Sequence, residues 1–205
     1  ETVLRGMGEL HLRLVLGRMK EEFGIDVSTR PPKIAYRETV TRPAEGHHRH
    51  KKQTGGAGQF GEVFLKIEPL SRGSGYEFSN KVVGGSIPGQ FIPAVEKGVK
   101  QVIDEGAVAG YPLQDVRVIV YDGKHHPVDS KEIAFVAAGK RAFVNAISKA
   151  RPIVLEPVAK IEVTTPSESV GDITGHLSGI RGRIAGSDSV SGNRVKISAQ
   201  VPLSE

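Results

Sequence analysis

The stretch Val116-Arg117-Val118-Ile119-Val120-Tyr121-Asp122-Gly123-Lys124-His125-His126-Pro127-Val128-Asp129-Ser130 decides how this 205-residue chain is read. Val116, Val118 and Val120 share one face and Arg117, Ile119 and Tyr121 the other, the period-2 pattern of a strand. Asp129 is the expected N-cap of a helix over residues 130–150, with Glu132 three residues on and Val128 and Ile133 at the two positions of a hydrophobic staple. Residues 122–129 therefore form a projecting tip held between a strand and a capped helix. Its exposed chemistry is Lys124, His125 and His126, which are expected to owe little to any core.

Working outward, Ile92, Val95, Val99, Val102 and Ile103 mark a second helix that opens near Pro88 and closes at Gly106. Residues 59–67 and 76–83 read as strands, and Phe60, Phe64, Tyr76 and Phe78 fall at strand spacing that suits a core. Ahead of them runs His47-His48-Arg49-His50-Lys51-Lys52-Gln53-Thr54-Gly55-Gly56-Ala57-Gly58. Such a run of cations and glycines buries no core, so a mobile basic loop is expected there, with Arg49, Lys51, Lys52, Gln53, Gly55, Gly56 and Gly58 facing a partner. Strands followed by a β-α-β-α run make residues 37–151 an α+β or split α/β domain, a helical layer on a sheet.

The flanks are shorter. In residues 1–36, Leu12, Val15, Leu16, Met19 and Phe23 give an amphipathic helix over residues 9–23 stopped by Gly24, and a short strand is expected at 25–28 before Arg30-Pro31-Pro32. Pro152 and Pro157 bracket the second boundary. In residues 152–205 a strand at 159–163, a helix at 167–178 and a hairpin about Ser191-Gly192-Asn193 make β-α-β-β, three quarters of a ferredoxin-like unit. The absence of an initial Met and the incomplete flanking units suggest a piece excised from a longer protein.

Composition narrows the chemistry. There is no cysteine, so disulfides and thiolate zinc sites are excluded, and a reducing compartment is expected. The longest apolar run, residues 133–138, is far short of the ~20 residues that span a bilayer. A cytoplasmic monomer without membrane contact is the expectation. The net charge of +5 is concentrated in residues 37–151, which hold 17 Lys/Arg against 12 Asp/Glu. That distribution favours a polyanionic partner, contacted through its backbone rather than by base stacking.

Enzymatic readings are weak. The phosphate-cradling string G-x-x-x-x-G-K-[ST] occurs nowhere. His47, His48 and His50 stand side by side, and adjacent His side chains rarely converge on one metal. Asp122, His126 and Ser130 could be imagined as a hydrolytic triad, but no nucleophile elbow or oxyanion hole accompanies them. No catalytic residue, metal or cofactor is assigned to this chain, and a small hydrolase remains only a formal alternative.

Several strings resemble one family, the translational elongation factor G translocases and their archaeal and eukaryotic relatives. Gly6-Met7-Gly8-Glu9-Leu10-His11-Leu12 resembles the second helix of the family's third domain, and Ala35-Tyr36-Arg37-Glu38-Thr39 the start of its fourth. Lys52-Gln53-Thr54-Gly55-Gly56, Ile87-Pro88-Gly89 and Gly110-Tyr111-Pro112 resemble fourth-domain motifs. His126-Pro127-Val128-Asp129-Ser130 resembles the fourth-domain tip, and Leu155-Glu156-Pro157 with Gly171-Asp172-Ile173 the start of the fifth domain.

The resemblance implies the end of a third domain (1–36), a ribosomal-protein-like split β-α-β fourth domain (37–151) and a truncated ferredoxin-like fifth domain (152–205). It also implies ribosome, ribosomal RNA, tRNA and mRNA as partners, a tip (Lys124, His125, His126, Asp129) that enters the decoding region during translocation, and GTP with magnesium held upstream of this chain. His126 matches the histidine modified to diphthamide in archaeal and eukaryotic relatives, and is expected unmodified in a bacterial-looking chain. Two departures stand out: Ala57 where the family commonly has Arg, and His125 and Pro127 where it has an aromatic and an acidic residue around the tip histidine. They open the alternative of an elongation-factor-G-like paralogue acting in recycling or another ribosome-linked task. A stand-alone RNA-binding module without a GTPase is the rival outside the family.

Overall fold

The computed structural model describes residues 2–53 and 58–205. Two compact units result, Glu1–Ala35 and a larger one spanning Tyr36–Leu203. In the smaller unit, α1 (Glu9–Phe23) ends where Gly24, at φ 65°, donates its N–H to the Lys20 carbonyl. The strand expected at residues 25–28 does not form, because no strand of this unit lies beside it to take its backbone groups.

In the larger unit a short β1 (Arg37–Val40) is followed by β2 (Ala44–Lys52), β3 (Gln59–Pro69), β4 (Tyr76–Asn80), α2 (Ile92–Glu105), β5 (Val116–Lys124) and α3 (Glu132–Lys149). Next come β6 (Pro152–Leu155), β7 (Val158–Pro166), α4 (Val170–Gly179), β8 (Arg183–Val190) and β9 (Arg194–Pro202). The architecture is α+β. Four strands in the order β2-β3-β5-β4 form the main sheet, with β4 and β5 parallel across the α2 connection and the other neighbours antiparallel. β1 pairs β6 in a two-stranded ribbon, and β7-β9-β8 form a third sheet beside α4.

The run expected to be a mobile loop is largely strand. From Ala44 to Lys52 every residue is in register with β3, from Ala44 opposite Ile67 to Lys52 opposite Gln59. The cations did not prevent this because β2 is an edge strand: His47, Arg49 and Lys51 alternate outward, while Gly46, His48 and His50 face α3. Lysine and arginine are the residues that native edge strands carry. A Cβ on Gly46 would sit 2.1 Å from the Ala142 carbonyl oxygen, so only glycine lets the edge lie this close to α3. Thr54, Gly55, Gly56 and Ala57, also part of that expectation, lie outside the described residues.

One core fills the space between sheet and helices. Val63, Leu65 and Ile67 of β3 and Val116, Val118 and Val120 of β5 meet Val95, Val99 and Val102 of α2 and Phe135, Phe143 and Ile147 of α3. Phe135 stacks on Phe91 with centroids 4.8 Å apart. The helices approach through glycine: a Cβ on Gly98 would lie 2.2 Å from the Val136 carbonyl oxygen. Tyr76 and Phe78 pack against this core as expected. Phe60 and Phe64 do not, since they stand on the opposite, helix-free face in register with Lys51 and His47. Strand spacing placed the two pairs alike but could not say which face each presents.

Candidate functional site

Three segments converge at one end of the main sheet: the end of β2, the start of β3, and the tip between β5 and α3. Phe60 donates its N–H to the Asp129 carbonyl at 2.9 Å, and the Ser130 hydroxyl donates to the Phe60 carbonyl at 3.0 Å. Ser130 Oγ also accepts the His126 N–H at 2.8 Å. The hydroxyl is thus committed to fastening the tip to β3, and no contact joins it to the His126 imidazole as a triad would need.

His126 is itself structural on one side. Its Nδ1 accepts the backbone N–H groups of Val128 at 3.3 Å and Asp129 at 3.2 Å. With Nδ1 taken up by these two N–H groups, Nε2 is the nitrogen left to donate from the half-exposed ring. His126 is absent from the core, but it does take part in the tip's own turn, which it closes with one nitrogen while the other is left to donate. Phe60 lies against it, centroids 6.3 Å apart.

Asp129 is not the N-cap. Helix α3 begins at Glu132 with Lys131 at the cap position and no side-chain cap bond. Residues 127–129 turn too tightly about His126 for the helix to start there. The staple does not form either, for Val128 and Ile133 are 77% and 60% exposed. Instead the Asp129 carboxylate packs on Gly58, where a Cβ would meet its oxygens at 2.7 and 2.9 Å. Lys51, Lys52, Gln53, Gly58, Gln59, Phe60, His126 and Asp129 together line a cavity of about 200 Å³. Two segments some 70 residues apart in sequence, read separately as tip and glycine loop, are thus one site.

The remaining predicted residues surround this cavity. Lys124 ends β5 opposite Glu62, and His125 turns away, its Nδ1 3.2 Å from the Ser86 carbonyl oxygen. Arg49 faces the open side of the sheet, where it and His47 hold Glu62 at 3.1 and 2.7 Å. Burial pushes the Glu62 carboxyl up, but those two hydrogen-bonded partners outweigh it and keep it below the ordinary carboxylate range. His47 also stacks on Phe64, centroids 4.1 Å apart, so the base of the hairpin is rigid. Glu62 and Gln59 are not singled out by the sequence, and Phe60 reads there only as a core residue; the alternation of Phe60 and Glu62 with Gly61 and Val63 is the one signal that those two share a face.

Glu38, on β1, ties that strand to the loop that follows α2. It is 1% exposed, and its carboxylate accepts four backbone N–H groups, from Ala107 at 2.9 Å, Val108 at 3.0 Å, Ala109 at 2.6 Å and Tyr111 at 3.1 Å. Burial raises its pKa, the four bonds lower it, and the bonds prevail. The string around Glu38 and the string Gly110-Tyr111-Pro112, far apart in sequence, are therefore one structural unit. Asp115, fully buried at φ 59°, similarly accepts the Gly73 and Gly75 N–H groups at 3.0 and 3.1 Å. Among the described residues no cluster of His, Cys, Asp and Glu has metal-site geometry, and no helix is long and apolar enough to cross a membrane.

A basic tip on an α+β domain, beside a β-α-β-β unit, is the arrangement of translation elongation factor domains, and comparison with known proteins bears this out. The model described as elongation factor G, domain IV, matches residues 32–151, elongation factor G C-terminus matches 153–205, and elongation factor G, domain III, matches 1–31. The chain belongs to the elongation factor G family. An "Elongation factor G-like protein" of Thermotoga maritima is 49% identical over 205 residues, all of this chain and 30% of that protein. A crystal structure of a Thermus thermophilus protein matches with TM-score 0.83 and 41% identity, over 98% of this chain and 30% of that one. The chain thus spans about a third of the length of these relatives.

Proposed function

We propose that this chain is the ribosome-facing C-terminal region of an elongation-factor-G-type protein, and that its tip contacts RNA in the decoding region while tRNA and mRNA move. The observation that carries the reading is the convergence of Lys51, Lys52, His126 and Asp129 on one cavity at the end of the sheet. Among the described residues, the His126 Nε2 and the two ammonium groups have no acceptors of their own, and phosphate and base edges are acceptors. GTP with magnesium belongs, on this reading, to the part of the protein outside this chain.

The test is made in the intact protein. Replacing His126 with Gln should slow single-turnover tRNA movement while ribosome-stimulated GTP hydrolysis stays near the wild-type rate. Movement at the wild-type rate refutes a functional tip. A second reading, a paralogue serving recycling or another ribosome-linked step, is favoured by Ala57, His125 and Pro127 and by the name of the Thermotoga relative. Splitting of post-termination ribosomes by the intact protein, with no stimulation of translocation, would decide for it.

A further inference from the structure

Part of the positive charge of residues 37–151 is neutralised by ion pairs and part is not. Lys66 is paired by Glu68, Arg117 by Glu77, Lys140 by Glu105, Lys97 by Glu132 and Lys100 by Glu96. Along the edge where β2 lies against α3, Arg42, Arg141, Lys149 and Lys52 make no ion pair among the described residues. Their contacts there are with neutral groups. Arg42 Nε donates to the Lys149 carbonyl at 2.8 Å, and Lys149 Nζ to the Glu45 carbonyl at 3.2 Å and Asn145 Oδ1 at 2.8 Å. The only acid on β2, Glu45, is approached by Tyr121 at 3.5 Å from the open face.

We propose that this β2–α3 edge is a second RNA contact, a track for the phosphate backbone of one strand that leads from the ribbon end of the domain toward the tip. The inference rests on the RNA-facing reading above and extends it to a different surface. His48, which faces α3 from β2, has its proton affinity lowered first by burial and then by Arg141, His50 and His47. The fixed charge named among those causes, Arg141, is positive, in keeping with the absence of an ion-pair partner for it among the described residues. Arg141 and Lys149 are eight residues apart on α3, about 12 Å along the helix, the rise of roughly three to four phosphates of one strand.

A peptide adding itself to β2 as a further strand suits the edge less well. The His47 N–H already reaches Asn145 Oδ1 at 3.4 Å, and Lys149 occupies the Glu45 carbonyl. Side chains of α3 therefore hold part of the backbone that strand addition uses.

The experiment measures affinity of the whole 205-residue chain for an RNA duplex of about 20 base pairs, long enough to span the contact surface of a typical duplex-binding domain, against salt. The R141Q/K149Q variant should lower the slope of log affinity against log salt by about 1.5, since each lost phosphate contact removes roughly 0.7–0.9. R141E, at a residue whose side chain makes no hydrogen bond or ion pair with the described residues, should lower the slope by roughly 0.7–0.9 with an unchanged melting temperature. Wild-type chain that binds RNA while both edge variants keep its slope and affinity overturns the edge and leaves the tip reading standing. Wild-type chain with no salt-dependent RNA binding overturns both. Polyglutamate bound as tightly as RNA, with the same loss in the edge variants, overturns the RNA assignment in favour of an acidic protein.

Discussion

Replacing Glu38 with Gln isolates what one buried carboxylate contributes to this fold. In the wild type both oxygens accept, Oε2 from Ala107 and Val108 and Oε1 from Ala109 and Tyr111. Glutamine keeps the shape but offers one oxygen, and its NH₂ is set against two of the four N–H groups. Two buried donors are left unsatisfied at about 1–3 kcal/mol each, and a loss near 3 kcal/mol allows for partial relaxation. The larger unit lies in the size class where each kcal/mol moves Tm by about 2–4 °C, so Tm should fall by roughly 6–12 °C.

Acidity gives the second signature. Glu38 has a folded pKa below its ordinary value of 4.5. Its contribution is therefore fully present above the unfolded value and is lost as pH falls through the folded one. The gap between wild type and E38Q should be widest near neutrality and should close in acid, as the wild-type carboxyl is protonated. Urea titrations of both proteins at several pH values measure it. A gap below about 0.5 kcal/mol at neutral pH, the size of an ordinary surface substitution, or one that does not narrow in acid, would refute the reasoning.

The other expectations are more local. H126A should cost about 1 kcal/mol, because two long, half-exposed bonds to Nδ1 are lost, and H126N should recover part of it; urea unfolding of the three proteins ranks them. G46A should destabilise by about 1–3 kcal/mol or more, since its methyl group would press on the α3 backbone, whereas Ala at the open Gly89 should be tolerated. F135A should cost about 3–5 kcal/mol by emptying the centre of the core, read as a shift in the urea midpoint. Calorimetry of this chain with GTP should give no saturable binding, for want of a phosphate-cradling string.

What the sequence disclosed followed the strength of its periodic signals. β5, α2 and α3 were legible because valines at every second position and apolar residues at helical spacing leave few alternatives. β2 was hidden because its inward residues are Ala44, Gly46, His48 and His50, which carry no apolar alternation, and its partner β3 supplies the order. The tip could be placed from Tyr121 to Ser130, but its hydrogen bonds could not. A histidine and a serine that fasten a turn look the same in sequence as ones that await a substrate. The cavity joins Lys51 to Asp129, and such a meeting follows from sheet register rather than from any local string.

The ribbon of β1 and β6 means that the chain enters and leaves the main-sheet domain through paired strands, with Arg37 opposite Leu155 and Val40 opposite Pro152. Thr41 Oγ1 then reaches the Arg151 carbonyl at 2.9 Å, at the opposite end of α3 from the tip. The 18 residues of that helix separate pivot from tip by about 27 Å. At that radius a rotation of about 10° at the ribbon would carry the tip through roughly 5 Å, close to one turn of an α-helix. Helix α3 joins the two ends and packs on β2 and β3, so a change of backbone angle at Thr41 or Arg151 would be delivered to His126 with no substitution at the tip.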